Sequence, residues 1–286
     1  MSMDFFRYKF GNEKAIDLLA NTGADCIDYS LFSMVNKDDI FNSDGYIEHA
    51  KHLKEYANNK GITINQTHAP FTFNWKHDDF NEVIMPSIIR SLEVSGMLGA
   101  EYEVIHPLHH YTYKGHEEEI YIENMKYFRS LIPYCKEYNI KIAIENMYQP
   151  DPQRKYMSYD VCSTPEEFCR YIDDLDSEYI AGCLDIGHAA LIINQEPQDF
   201  IRKVGADRIR ALHVHDVDYI HDNHTLPGLC KLNWREIMKA LDEIHYKGDF
   251  TYEANNFVAN FDNEYIPQAS KFMVDTAKFL INLTNL

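Results

Sequence analysis

The chain has 286 residues, of which 45% are hydrophobic and 25% charged, and a formal net charge of −18. That length suits one α/β barrel of roughly 250 residues. No apolar run reaches the roughly 18 residues of a membrane span, and MSMDFFRYKF lacks the apolar core of a secretion signal, so a cytoplasmic protein is expected. The acidity disfavours a broad nucleic-acid surface, and six cysteines without a CxxC pair are expected as reduced, mostly buried thiols.

Along the chain, short β-rich runs alternate with segments whose apolar residues recur every three or four positions. MDFFRYK, short and partly charged, comes first, and a helix is expected from Glu13 to Asn21. ADCIDYSL (from Ala24), the helix Tyr46 to Asn59, ITINQTH (from Ile62) and the helix Asn81 to Leu98 follow. EYEVIHP (from Glu101), the helix Glu117 to Tyr138 and IKIAIEN (from Ile140) come next. NMYQPDPQRKYMSYD, Asn146 to Asp160, is read as a long loop. Thr164 is expected to cap a helix over Pro165 to Leu175, with Pro at its first position. The rest reads YIAGCLDIGH (from Tyr179), helix Pro197 to Val204, IRALHVHD (from Ile209), helix Trp234 to His245, DFTYEAN (from Asp249) and helix Tyr265 to Leu283.

Strands alternating with helices imply parallel βαβ units. Seven strands are legible, and only MDFFRYK is available for an eighth, so either the first strand is stunted or the barrel begins unusually late. The expectation is therefore a (β/α)8 TIM barrel with a short or incomplete first strand, built as one domain over residues 1–286. No Gly-rich phosphate loop follows the early strands, which disfavours an open doubly wound sheet.

The unusual polar residues fall where strands end. His68, His106, Glu145, Asp185 with His188, His213 and Glu253 close six successive runs. In a barrel those ends converge on the mouth where active sites sit. A carboxylate directly after an apolar run is costly to bury alone, and a cation resolves that cost for several together. Glu145, Asp185, His213 and Glu253 are the expected ligands. Three carboxylates and an imidazole suit Mn²⁺ or Zn²⁺, with Mg²⁺ and Co²⁺ also compatible.

Five motifs carry a resemblance: IEN at 144–146, LDIGHA at 184–189, HVHD at 213–216, DNHTLPG at 222–228 followed by NW, and YEAN at 252–255. In this order and spacing the chain resembles the xylose isomerase-like TIM-barrel superfamily of sugar phosphate isomerases and epimerases, related to endonuclease IV-type enzymes. The resemblance implies one divalent metal on Glu145, Asp185, His213 and Glu253, and His188 contacting substrate oxygens. Glu145, Glu253 and His188 are then the catalytic candidates for alpha-proton transfer on a small carbohydrate, a sugar phosphate or a cyclic polyol ketone.

The endonuclease IV-type branch uses nine ligands for three zinc ions. All nine types occur here, with His68, His106, Asp222 and His224 completing the set as second-metal or substrate residues. The alternatives are therefore a multinuclear zinc phosphodiesterase and a non-catalytic metal-binding relative. LDIGHA and the Trp234 helix start are similar to the sugar branch. Tyr219 stands where the ketose 3-epimerases carry a substrate-binding Arg, which departs from their pattern. Relatives of this kind often assemble as homo-oligomers.

Other residues are read as less involved. Phe71 to Trp75 could roof a sugar or pack on the rim. His109, His110 and His116 are expected on the rim, Lys114 could meet a substrate phosphate, and Arg154 and Lys155 could bind an anionic substrate or simply be solvated. His215 is read as structural because it alternates away from His213, and His221 as solvated.

Overall fold

Runs without polar alternation form strands buried on both faces, as parallel strands between helix layers must be. The computed structural model describes residues 1–72, 80–109, 112–151, 153–154 and 156–284. Its contacts divide the chain into two compact units: Met3–Ile144 with Leu175–Ala181, and Met1–Ser2 with Glu145–Asp174 and Gly182–Leu286.

In the first unit, α1 (Asp4–Phe10) and α2 (Asn12–Thr22) precede β1 (Cys26–Ser30). α3 (Tyr46–Asn59), β2 (Thr63–His68), α4 (Met85–Leu98, entered through a π-helical turn at Phe80–Ile84), β3 (Tyr102–Ile105), α5 (Glu117–Tyr138) and β4 (Lys141–Glu145) follow. β1 to β4 pair in that order and all in parallel. Ser30 lies opposite His68, His68 opposite Val104, and Ile105 opposite Ile144. Two of these helices stop at a left-handed residue: Gly23 at φ 84° after α2 and Asn139 at φ 53° after α5.

MDFFRYK, the expected first strand, is helical from Asp4 onward. Asp4 sits in the first turn, Arg7 and Lys9 in the last, which matches the helix dipole, and Phe6 is the buried residue. The strand is reduced to two residues before it. The Ser2 N–H donates to the Tyr252 carbonyl at 2.7 Å in the second unit, and the Met3 N–H to the Asp28 carbonyl at 2.9 Å in the first.

β3 also carries an ionisable group away from any strand end. Glu103 is fully buried, and among the described residues no hydrogen bond of normal geometry reaches either carboxylate oxygen. Ser91 and Ser95 of α4 face it, and Tyr127 and Cys135 of α5 feel its charge. Burial pushes its pKa up to about 8, and the two hydroxyls only partly oppose that.

In the second unit, Tyr148–Pro150 (β5) and Met157–Tyr159 (β6) form an antiparallel hairpin within the segment read as a loop. α6 (Pro165–Leu175) and β7 (Ile180–Asp185) follow, then α7 (Ile186–Leu191), α8 (Pro197–Val204), β8 (Ile209–His213), α9 (Trp234–Glu243), α10 (Asn255–Ala259) and α11 (Ile266–Ile281). Thr164 Oγ1 accepts from the Glu167 N–H at 3.3 Å, the expected cap. β7 and β8 pair in parallel up to Asp185 opposite His213. The expected strand at Asp249 shrinks to one bridge: the Val214 N–H donates to the Thr251 carbonyl and the Glu253 N–H to the Val214 carbonyl. Among the described residues no helix is long and apolar enough to cross a membrane.

Gly182 on β7 lies beneath the ring of Phe168 of α6. A Cβ there would meet that ring at 2.2 Å and Ile172 at 3.0 Å. Phe168 is fully buried and packs edge-on against Phe200 of α8, so it has nowhere to move. Gly182→Ala is expected to lower unfolding stability by about 1–3 kcal/mol, read from the midpoint of urea denaturation. An unchanged midpoint would show that this layer repacks freely.

Candidate metal centre

Four strand ends of the second unit deliver its polar residues. Glu145 ends β4, Asp185 ends β7, His213 ends β8, and Glu253 follows the bridge residue Tyr252. Each of the four offers a ligand atom, and these atoms all lie within 4.8 Å of one another. His213 Nδ1 is 3.1 Å from Glu145 Oε1, 3.3 Å from Glu253 Oε2 and 3.9 Å from Asp185 Oδ2. Glu145, Asp185 and His213 are essentially inaccessible, and the Glu253 side chain is 19% exposed, so the group opens on that side.

The IEN motif has a physical role in this arrangement. The Asn146 side-chain amide donates to the Asp185 carbonyl at 3.0 Å, and its oxygen accepts the Asp185 N–H at 2.7 Å. One residue thereby joins the ends of β4 and β7 and sets Asp185 beside Glu145. Asp185 also caps α7, because its Oδ1 accepts the His188 N–H at 2.7 Å.

His188 lies against the same centre. Its Nδ1–H donates to the Asn146 carbonyl at 2.9 Å, while Nε2 is 3.6 Å from Asp222 Oδ2. Burial opposes its protonation, but the carboxylates of Asp185, Asp222 and Glu145 outweigh that and hold its pKa well above the ordinary value. Asp222 Oδ2 accepts from Tyr148 Oη at 2.9 Å and from His224 Nε2 at 2.8 Å. His224 Nδ1 donates to the Glu253 carbonyl at 2.8 Å. Its pKa is raised to about 9, since the charges of Asp222 and Glu253 overcome its burial.

Two residues of this cluster were not identified from the sequence. Tyr148 reaches Asp222 because the β5–β6 hairpin lifts it there, and its ring packs edge-on to His188 at 4.8 Å. His215, expected to point away, places Nε2 at 3.0 and 3.1 Å from the two Asp185 oxygens. Residues two apart in an extended segment share a face, and bridges at Val214 and Asp216 carry that path past β8, so His215 lies on the same side as His213. His188, His215, Asp222 and His224 form a second group whose ligand atoms lie within 4.8 Å of one another.

His68 and His106 are brought together in the first unit, ring centroids 4.8 Å apart. Phe32 packs on His68 at 4.7 Å and stacks on Phe71 at 4.4 Å, and Phe71 lies 5.1 Å from His106. Tyr219 donates to Glu196 at 3.0 Å. His221 is exposed and pairs with Asp218, His116 pairs with Glu119, and Arg154 is exposed beside Asp151. Phe73, Trp75, His110 and Lys155 lie outside the described residues.

The donor set fits a divalent cation. Three carboxylates close together and largely out of water repel one another, and an ion with a few open coordination positions relieves that repulsion. Oxygen donors with one imidazole do not discriminate sharply among Mn²⁺, Mg²⁺, Co²⁺ and Zn²⁺.

Comparison with known proteins adds three findings. A family model described as a xylose isomerase-like TIM barrel matches residues 16–276. An uncharacterized protein of Methanocaldococcus jannaschii is 28% identical over 72% of this chain and 69% of its own, and a D-psicose 3-epimerase of Enterocloster bolteae is 23% identical over 82% and 74%. Among solved structures, the IOLI protein with a zinc atom superposes with a TM-score of 0.71 at 18% identity, over 94% of this chain and 92% of the other.

Proposed function

The chain belongs to the xylose isomerase-like TIM-barrel family, and from that premise we propose that it is a divalent-metal-dependent sugar isomerase or epimerase. The observation that carries this reading is the group Glu145, Asp185, His213 and Glu253, whose ligand atoms lie within 4.8 Å of one another. Those residues would hold the ion, which when bound polarises a substrate carbonyl and offsets charge developing on its oxygen. Glu145 and Glu253 are the proton carriers: one carboxylate takes the proton alpha to the carbonyl and the other returns one. His188 keeps its Nδ1–H on the Asn146 carbonyl and presents Nε2–H to a substrate oxygen. The whole chain is read as one barrel domain. The substrate is a small carbohydrate, and Tyr219, tied to Glu196 where ketose 3-epimerases have an Arg, argues for one other than a free ketose.

Solvent deuterium exchange into candidate sugars tests the proton-transfer role. Glu145→Gln and Glu253→Gln are each expected to slow exchange by at least roughly 10²-fold, the low end for losing a general base. Exchange at the wild-type rate in either variant removes that residue from the role.

A second reading rests on the group His188, His215, Asp222 and His224. If it holds further zinc, a multinuclear phosphodiesterase becomes the better description. Metal analysis separates the two: about one ion per chain supports the isomerase, and about three with cleavage of abasic-site DNA supports the hydrolase.

A further inference from the structure

His215 is fully buried. Its Nε2 bridges both oxygens of Asp185 at 3.0 and 3.1 Å. Its ring stacks on His224 with centroids 4.2 Å apart and planes 15° apart. The ring fits only because residue 187 has no side chain, since a Cβ at Gly187 would meet Cε1 of His215 at 2.0 Å and both ring nitrogens at 2.6 Å. Gly187 stands in α7, the helix that Asp185 caps. The Gly of LDIGHA and the second His of HVHD are therefore two halves of one fitting.

The backbone around His215 is held as firmly as the ring. Val214 bridges to Tyr252 on one side. On the other, the Asp216 carboxylate accepts from the N–H groups of Val217, Gly228, Cys230 and Leu232. With the backbone held on either side and the ring wedged between Gly187 and His224, the carboxylate follows the ring.

We propose that His215 is the positioning residue for Asp185, and that Gly187 provides the space for it. This rests on the reading of Asp185 as a metal ligand. The backbone N–H of His188 donates to Asp185 Oδ1, and the Nε2–H of His215 lies between Oδ1 and Oδ2. Oδ2, 3.9 Å from His213 Nδ1, is the oxygen that would serve an ion held there. Without the imidazole, repulsion from Glu145 and Glu253 turns the carboxylate away from the centre. Hydrogen bonds behind a ligating carboxylate usually carry such weight.

The test is Mn²⁺ binding to the purified full-length chain, by calorimetry and by the electron paramagnetic resonance spectrum of the bound ion. His215→Phe keeps the ring but removes the donor, and is expected to weaken Mn²⁺ roughly 10–100-fold with an altered spectrum. His215→Gln restores a donor and should recover most of the affinity. Gly187→Ala leaves the imidazole intact but displaces it, and should reproduce the loss. The double variant Gly187→Ala/His215→Phe should be no weaker than the worse single one, because both break the same bond. If His215→Phe does not fold, Gly187→Ala and His215→Gln still decide the matter. Wild-type affinity in Gly187→Ala or His215→Phe overturns the proposal. Loss of one ion out of two, with the other bound as tightly as before, also overturns it by making His215 a ligand. A wild-type chain that binds no divalent ion instead overturns the metal reading on which this rests.

Discussion

Glu103→Gln is expected to raise the melting temperature at pH 9 by roughly 10 °C and to change it little at pH 5. The carboxyl has a folded pKa of about 8, raised by burial, against the ordinary 4.5. A raised acid binds its proton more tightly in the folded state. Its contribution to stability is therefore complete below the unfolded pKa and is lost as pH rises toward 8, after which it is flat. The full difference corresponds to about 5 kcal/mol at pH 9 and under about 1 kcal/mol at pH 5. Gln has nearly the same shape and never ionises, so it escapes that loss. The groups facing Glu103 do not titrate in this window: Cys135 is pushed up to about 12, and Tyr127 lies further above its ordinary range. Ser91 and Ser95 carry no charge. Calorimetric scans of both proteins at the two pH values measure the effect. Parallel melting curves across the range would mean that solvent reaches the carboxylate.

The strand-end pattern that located Glu145, Asp185, His213 and Glu253 worked because it needed only the direction of each strand. Parallel strands in a βα repeat finish on one side, so a polar residue closing each apolar run is placed without knowing the packing. The amphipathic helices were legible for the same local reason: Tyr46–Asn59 and Glu117–Tyr138 end where their periodicity ends. The missed features depend on partners far along the chain. The β5–β6 strands have three residues each and exist only because Tyr148 meets Tyr159 eleven residues later. Without that pairing nothing in NMYQPDP shows Tyr148 turning toward Asp222. His215 follows His213 toward the centre because residues two apart in an extended segment share a face, so expecting it to alternate away misapplies the period of a strand. MDFFRYK was read as a strand by arithmetic, since a barrel needs eight. Asp4 to Phe10 instead follows its own charge pattern into a helix, with Asp4 in its first turn and Arg7 and Lys9 in its last.

Asp185 has two duties that a pair of variants can separate. Its carboxylate caps α7 through the His188 N–H, and it faces the centre shared with Glu145, His213 and Glu253. Asparagine can still accept the capping hydrogen bond but loses the charge, whereas alanine loses both. Without metal, Asp185→Asn is expected to melt close to the wild type, and Asp185→Ala to be less stable by about 2–4 kcal/mol, the worth of a cap plus the buried His215 N–H left without its acceptor. With Mn²⁺ at about one hundred times the wild-type dissociation constant, the wild type gains about 2.7 kcal/mol, a melting-temperature rise of roughly 5–10 °C. Loss of a direct ligand weakens binding by at least the roughly 100-fold that a supporting hydrogen bond can cost. Both variants should then gain no more than about 0.4 kcal/mol at the same metal concentration. Melting curves with and without Mn²⁺ distinguish the duties: the metal-free values report the cap and the His215 hydrogen bond, and the increments report the ion. A full increment in Asp185→Asn would mean that the carboxylate serves only the helix, and that the cation is held by Glu145, His213 and Glu253 without it.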